Sequence, residues 1–426
     1  YFNATTSLDK TIYKLNVPSR NFQKALELLS DFIINAVFNE DEFLKERQVI
    51  LEEMKLNRDN PDRFFSRLIF KCCFRRHPYR FAVIGEEGLF KRLTRQDLVR
   101  YYKDKYIPNN MILGICGDID TENAMSLIKR NFSDFKKGFY PVDNLDVKEP
   151  KGNIPITYTH SGNVELARIA FCFKGVDINN SDLYALDVLS FILGGPVESR
   201  LDRLLCQREK LAFSVDSYNF TPKDPGIFVI RFVTEYDKFK RLKEAFFSEI
   251  ESVKHKGVRS IELIKAKRNI SAQFLHSLES VDDVALRLVT DEYLTGDFNF
   301  SLRYVEHIQD VTKHDLIEVA NKYLNKDNLT IVEYIPQQIK PTAQEHIEAS
   351  PKDLEIKKYI LKNNLTLLLK EDHSLPTIAI NVSLRAGLRA EHCLLYTSPS
   401  PRDLSTARMP SSACKLQLHR ETDYFP

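Results

Sequence analysis

No run of about 18 apolar residues occurs in the 426-residue chain, so no segment has the composition of a membrane-spanning helix. Also missing is any basic stripe interleaved with aromatics, since Lys plus Arg (61) nearly balances Asp plus Glu (59). Nucleic acid is therefore not an expected partner. None of the ten histidines stands in an HExxH or HxxEH pair, the spacings that put two imidazoles and a carboxylate on one helical face for hydrolytic metal chemistry. Seven cysteines, with Cys72 and Cys73 adjacent, form no CxxC and no zinc-ribbon spacing. They read as free thiols packed as small apolar residues, and the odd count argues against a complete disulfide framework. The chain opens at Tyr1 with neither Met nor a charged-then-apolar leader, which reads as a start in mid-domain; no compartment can be assigned.

What is present reads as an ordinary globular chain, 43% apolar and 28% charged, long enough for two or three domains. Residues 1–140 read as an α+β unit: strands in FNATTSLDKTIYKLNV, a helix over 22–38, a second helix that stops at Asp59-Asn60-Pro61, a third capped at Thr94, and an apolar strand in MILGICGDID. A polar linker covers 141–153. A second α+β unit follows over 154–335, with strands at LARIAFCF, LAFSVDSYNF, GIFVIRFV and LTIVEYI. Long helices between antiparallel-type strands suggest sheets with helices packed on one face. The fold class is thus α+β, two similar domains of mainly antiparallel sheet. After a further linker at 336–355, residues 356–391 restart the strand pattern as a hairpin with its turn near Glu371 to Ser374. Residues 392–426 switch to Ser- and Pro-rich sequence without period and read as a non-native tail, translated adapter or vector sequence.

Chemistry concentrates in ERQVILEEMK. Glu46 and Glu53, seven residues apart, fall on one side of a helix, nearly two turns from each other. Two readings stay open. The glutamates are either the solvated side of an amphipathic helix whose buried positions are Phe43, Ile50, Leu51 and Met54, or half of a metal site. Gly194-Gly195 lacks the Lys-Ser/Thr of a phosphate loop and reads as a helix stop.

Taken in order, FNATTSLDKTIY, ERQVILEEM followed by DNP, HPYRFAVIGEEGLFKRLT, YYKDKYIPNNMILGICGDID and LGGPVESRLDRLLCQREKLAFSVDSY resemble the pitrilysin/insulinase family, the inverted-motif (HxxEH) zinc peptidases that include mitochondrial processing peptidase. The resemblance covers residues 1 to about 391. It implies a first α+β domain that carries zinc (Zn), a similar second domain, and a parent protein with two tandem halves, of which 356–391 would open the next copy. By position, Glu53 matches the third zinc ligand and Glu46 an acidic residue supporting the site; the HxxEH itself would lie before Tyr1. Asn3 and Ala4 match edge-strand residues that pair with an extended peptide, and Arg208 and Phe213 match an Arg and an aromatic that reach substrate from the second domain. The family's usual tyrosine is Phe213 here, which removes a hydroxyl donor.

The function implied is zinc-dependent endopeptidase chemistry on a peptide or unfolded protein, with a homologous subunit or second half of the same chain as partner. Lacking HxxEH, this chain is expected to be inactive and to hold zinc poorly. A non-catalytic member serving as a substrate-binding or structural subunit is the other reading, and a truncated product without function a third. At single positions, Glu46 equally suits a surface pair with Lys45 or Arg47, Asn3 a turn cap, Arg208 an ordinary salt bridge and His77 a structural role.

Overall fold

The computed structural model describes residues 1–139, 147, 149–150, 155–196, 198–337, 357–360 and 366–369. Residues 1–340 form one compact unit and 341–426 another. The expected tail at 392–426, and nearly all of both expected linkers, lie outside the described residues.

The first unit begins with an antiparallel hairpin, β1 (Phe2–Thr6) and β2 (Thr11–Leu15), followed by α1 (Phe22–Ile34) and α2 (Glu40–Asp59). Asn39 opens α2, its side chain accepting from the Asp41 amide at 2.9 Å. Pro61 does end that helix, but only to begin another. The Asn60 side chain accepts from the amides of Asp62 and Arg63, both at 3.0 Å, and Pro61 needs no amide in a first turn, so α3 (Pro61–Cys73) starts at once. The sequence reading had no element there.

Short α4 (Glu87–Phe90), α5 (Arg95–Lys105) and α6 (Thr121–Phe132) complete this region. As expected from its sequence, α5 is capped at Thr94, whose hydroxyl receives the Asp97 amide while Asp97 receives the Thr94 amide. The expected strand in MILGICGDID is not one. Residues 111–116 lie without a ladder partner among the described residues, and Ile112 and Leu113 are exposed. A strand needs a neighbour for its backbone groups, and apolar composition alone does not supply one.

A five-stranded mixed sheet dominates the remainder of the unit. Its strands are β3 (Ile156–Gly162), β4 (Ala167–Lys174), β5 (Ser214–Phe220), β6 (Ile227–Thr234) and β7 (Leu329–Pro336), ordered β3-β7-β4-β6-β5. All pairings are antiparallel except β3 with β7. Helix α7 (Leu183–Gly194) lies between β4 and β5, followed by a π-helical turn at Asp202–Arg208, and α8 (Phe239–Lys256), α9 (Ser260–His276), α10 (Val281–Thr295), α11 (Phe300–Asp310) and α12 (Lys313–Tyr323) run consecutively between β6 and β7; the sequence reading has the first two of these five, between Lys238 and Ser280, and none of the last three.

Burial is on both sheet faces rather than one. Ile169, Phe171 and Phe173 of β4 join the core built with α7, α8 and α12, where Phe171 and Phe246 rings lie 4.6 Å apart. Ala170 and Cys172, on the opposite face, pack with Phe65 and Ile69 of α3. The unbroken apolar run in β4 is the sequence signature of a strand buried on both sides.

In the second unit, β8 (Lys357–Ile360) pairs antiparallel with β9 (Thr366–Leu369), Tyr359 opposite Leu367. Both strands lie before the turn expected near 371–374, which, with the rest of the expected hairpin, is outside the described residues.

Candidate functional site

The β1–β2 hairpin offers a free edge. The N-terminal amine donates to the Asn16 carbonyl and the Asn16 amide to the Tyr1 carbonyl, and at the other end the Ser7 amide donates to Lys10. Antiparallel pairs alternate between bonded and non-bonded, so Asn3 opposite Lys14 is bonded inward while Ala4 opposite Tyr13 is not. The Ala4 amide and carbonyl consequently point away from β2. No strand covers that edge among the described residues. The amide is occupied instead by the Asn3 side chain, whose Oδ1 accepts from it at 2.8 Å while Nδ2 donates to the Tyr1 hydroxyl at 2.9 Å. Asn3 therefore acts as a local placeholder on the edge.

On α2, Leu51 and Met54 face the core, and Glu46 and Glu53 face solvent. Neither glutamate has a hydrogen bond or ion pair among the described residues. The surface pairing open to Glu46 is not formed: Lys45 binds Glu42 at 2.9 Å, and the Arg47 guanidinium lies over the Phe43 ring. A catalytic zinc takes about three protein ligands and leaves one position open. No group of three His, Cys, Asp or Glu among the described residues is arranged to hold a metal. The histidines among the described residues are engaged elsewhere. His77 is buried, caps the turn at Pro78–Arg80 and lies 3.3 Å from Asp224, which is the structural role open to it in sequence. His160 packs on Phe64 and Tyr334, His307 packs on Tyr184, and His255, His276 and His314 pair with exposed glutamates. The described residues do not fit a zinc site; among them Glu53 offers one carboxylate.

Arg208 ends the π-helical turn with its side chain 71% exposed and paired to the adjacent Glu209 at 3.0 Å, an arrangement of little energetic weight. After the left-handed residue Lys210, Phe213 enters β5: its amide donates to the Val233 carbonyl at 2.8 Å and its ring is 59% exposed. No hydrogen bond or ion pair among the described residues joins the glutamates of α2, the β1 edge and the Arg208–Phe213 turn to one another.

Sequence reasoning passed over a cleft of about 590 Å³ between α7, β5, α9 and α11. At its base, Asp187 accepts from the Tyr304 hydroxyl at 2.7 Å and from Asn219 Nδ2 at 2.9 Å. Burial without a nearby cation pushes its carboxyl up to about 6. One signal was available, because Asp187 is the sole charged residue of the apolar helix LYALDVLSFILG.

Comparison with known proteins places these features. Residues 1–87 match "Insulinase (Peptidase family M16)" and residues 92–270 match "Peptidase M16 inactive domain". An "Uncharacterized zinc protease" of Rickettsia felis is 31% identical over 323 residues, 76% of this chain and 77% of that protein. The chain belongs to peptidase family M16. A second relative, "Zinc protease PqqE" of Helicobacter pylori, is 31% identical over 341 residues, 78% of this chain and 75% of that protein. The crystal structure of a protease from Helicobacter pylori superposes with a TM-score of 0.74 at 29% identity, over 79% of this M16 chain and 82% of that one. A peptidase M16 inactive domain from Pseudomonas fluorescens, 19% identical, shares the fold with a TM-score of 0.69 over 79% of this chain and 81% of its own.

Proposed function

We propose that this chain is part of a zinc-dependent M16 endopeptidase, that it holds peptide as an added strand on the outer edge of β1, and that alone it neither retains zinc nor cleaves peptides. The observation that carries this reading is the outward Ala4 amide and carbonyl on an edge that no strand among the described residues covers, in a chain whose relatives are named zinc proteases. Main-chain pairing of this kind accepts many side chains. In this reading Glu53 is one zinc ligand and Glu46 its support, and the histidines come from an HxxEH that this sequence does not contain. Arg208 and the Phe213 ring, both exposed, reach the peptide from the far side, and a homologous half or subunit completes the enclosure.

The purified chain tests the proposal directly. Metal analysis by mass spectrometry after dialysis against micromolar zinc is expected to give far less than one zinc per chain, and an internally quenched peptide is expected to stay intact. One tightly held zinc per chain, with cleavage abolished by a chelator, would overturn it.

A further inference from the structure

One carboxylate gathers the charged ties of the π-helical turn at Asp202–Arg208. Glu262, in the first turn of α9 with its side chain nine-tenths buried, meets three guanidinium groups: Arg203 at 2.8 Å, Arg259 at 2.9 Å and Arg200 at 3.8 Å. Arg200 also binds Glu249 of α8 at 2.8 Å and donates to the Gly257 carbonyl at 3.2 Å. The stretch 200–203 is thereby tied to both α8 and α9, while Leu201 and Leu205, fully buried, fix its apolar side.

Arg208 has no such hold. Among the described residues its guanidinium meets only the adjacent Glu209, so its direction is set by the backbone of the turn. A π-type hydrogen bond spans five residues, and Arg203 and Arg208 stand five residues apart, one turn from each other. Beyond Arg208 the chain closes back on the same turn. The Glu209 amide donates to the Leu204 carbonyl at 2.9 Å and the Leu211 amide to the Leu205 carbonyl at 2.7 Å, while Lys210 between them holds a φ of 51° without being glycine. π turns are rare and gather at functional sites, and backbone in a sparsely populated region persists where its surroundings over-determine it.

We propose that Glu262 is a positioning residue: by holding Arg203 at the start of the turn, it fixes the backbone from which Arg208 reaches the peptide. The role rests on the proposed contact between Arg208 and peptide; Glu262 itself touches no substrate. Glu262 also accepts the Arg259 amide at 2.9 Å, which caps α9. A cap needs an oxygen rather than a charge, so Glu262→Gln keeps the cap and weakens the hold on Arg203.

The test is a double-mutant cycle on the full chain, read by fluorescence anisotropy with a fluorescein-labelled casein peptide and by amide hydrogen exchange. Glu262→Gln is expected to weaken peptide binding about fivefold in the parent, with little effect where Arg208 is already replaced by Ala. It is also expected to speed exchange across residues 203–212 about tenfold, with β4 and β6 unchanged. Arg203→Gln, which breaks the same pair from the turn side, should reproduce both effects. A capping role alone would weaken binding equally in both backgrounds or not at all. Either result, or unchanged exchange, overturns the positioning role and leaves the Arg208 contact standing. If the parent does not bind the peptide, or Arg208→Ala binds as the parent does, the peptide reading fails and the positioning role falls with it. Should Glu262→Gln not fold, the Arg203→Gln comparison decides.

Discussion

Asp187 illustrates how one residue can oppose the stability of the element that carries it. The helix around it is apolar, and its carboxyl, which titrates near 3.8 in the open chain, is pushed up to about 6 by burial, against the smaller opposing effect of the bonds from Tyr304 and Asn219. A carboxyl with a raised folded-state value binds its proton more tightly when folded. Its favourable contribution is therefore complete below about pH 4 and is lost as pH rises through 6. Ionisation should cost the fold up to about 3 kcal/mol at neutral pH. Asp187→Asn removes the charge while keeping an acceptor for Tyr304, and a rotated Asn219 amide can receive the new donor. In urea denaturation, the variant's stability relative to the parent should rise by about 2–3 kcal/mol between pH 4.5 and 7.5. An equal gap at both values would show that the carboxyl is not desolvated as described. Cys72 is a parallel case without chemical consequence. Its thiol is pushed up to about 12 by burial, which marks it as inert packing, in keeping with the sequence reading of the cysteines.

At the scale of elements, the hairpin carries the prediction. Proline at a strand position is tolerated where the amide faces outward and is damaging where it serves the ladder. Ala4→Pro removes an outward amide and should leave the β1–β2 pairing nearly intact, whereas Asn3→Pro removes an inward one and should disrupt it. Measured by fluorescence anisotropy with an unstructured peptide, Ala4→Pro should weaken binding about tenfold or more, as expected for loss of one main-chain bond and crowding of the edge. Unchanged affinity would move the peptide off β1. Much of this level was legible in sequence. The helix expected over 22–38 is present over 22–34, ending at Asn35, and the helix that stops at Asp59 is present too; both follow from apolar spacing, and the Thr94 cap follows from a hydroxyl placed three residues before Asp97. Two failures share a cause, since both needed a neighbour to decide. Pro61 reads as a stop unless Asn60 is seen to cap a new helix, and residues 111–116 read as a strand until no partner is found beside them. The acidic cleft was not legible because its carboxylates come from separate stretches of the chain, α7, the π-helical turn with the residues before it, and β5.

The first unit is bound together by α3, an element the sequence reading missed. Its Phe65 and Ile69 press on the face of the five-stranded sheet opposite α7, α8 and α12, against Ala170 and Cys172 of β4, Val229 of β6 and Val332 of β7. Polar ties run alongside. Arg168 of β4 bonds Asp62 at 2.7 Å, and Arg231 of β6 reaches Ser66. Glu149 accepts from three successive amides at residues 75–77, just beyond α3, while Lys174 at the end of β4 holds the adjacent Pro150 carbonyl. A sheet with one face open to solvent would need polar residues at Ala170, Cys172 and Val229, and it has none there. Residues 1–139 and 155–337 should therefore not behave as independent folding units, even though the sequence invites a division near 141–153. Ile69→Ala, at a fully buried position, should cost about 2–5 kcal/mol. If α3 is integral to the sheet, the loss will spread. Amide hydrogen exchange should accelerate in β4 and β6 as much as in α3, because opening one exposes the other. Acceleration confined to residues 61–80 would mean that the helix merely rests on a sheet stable without it.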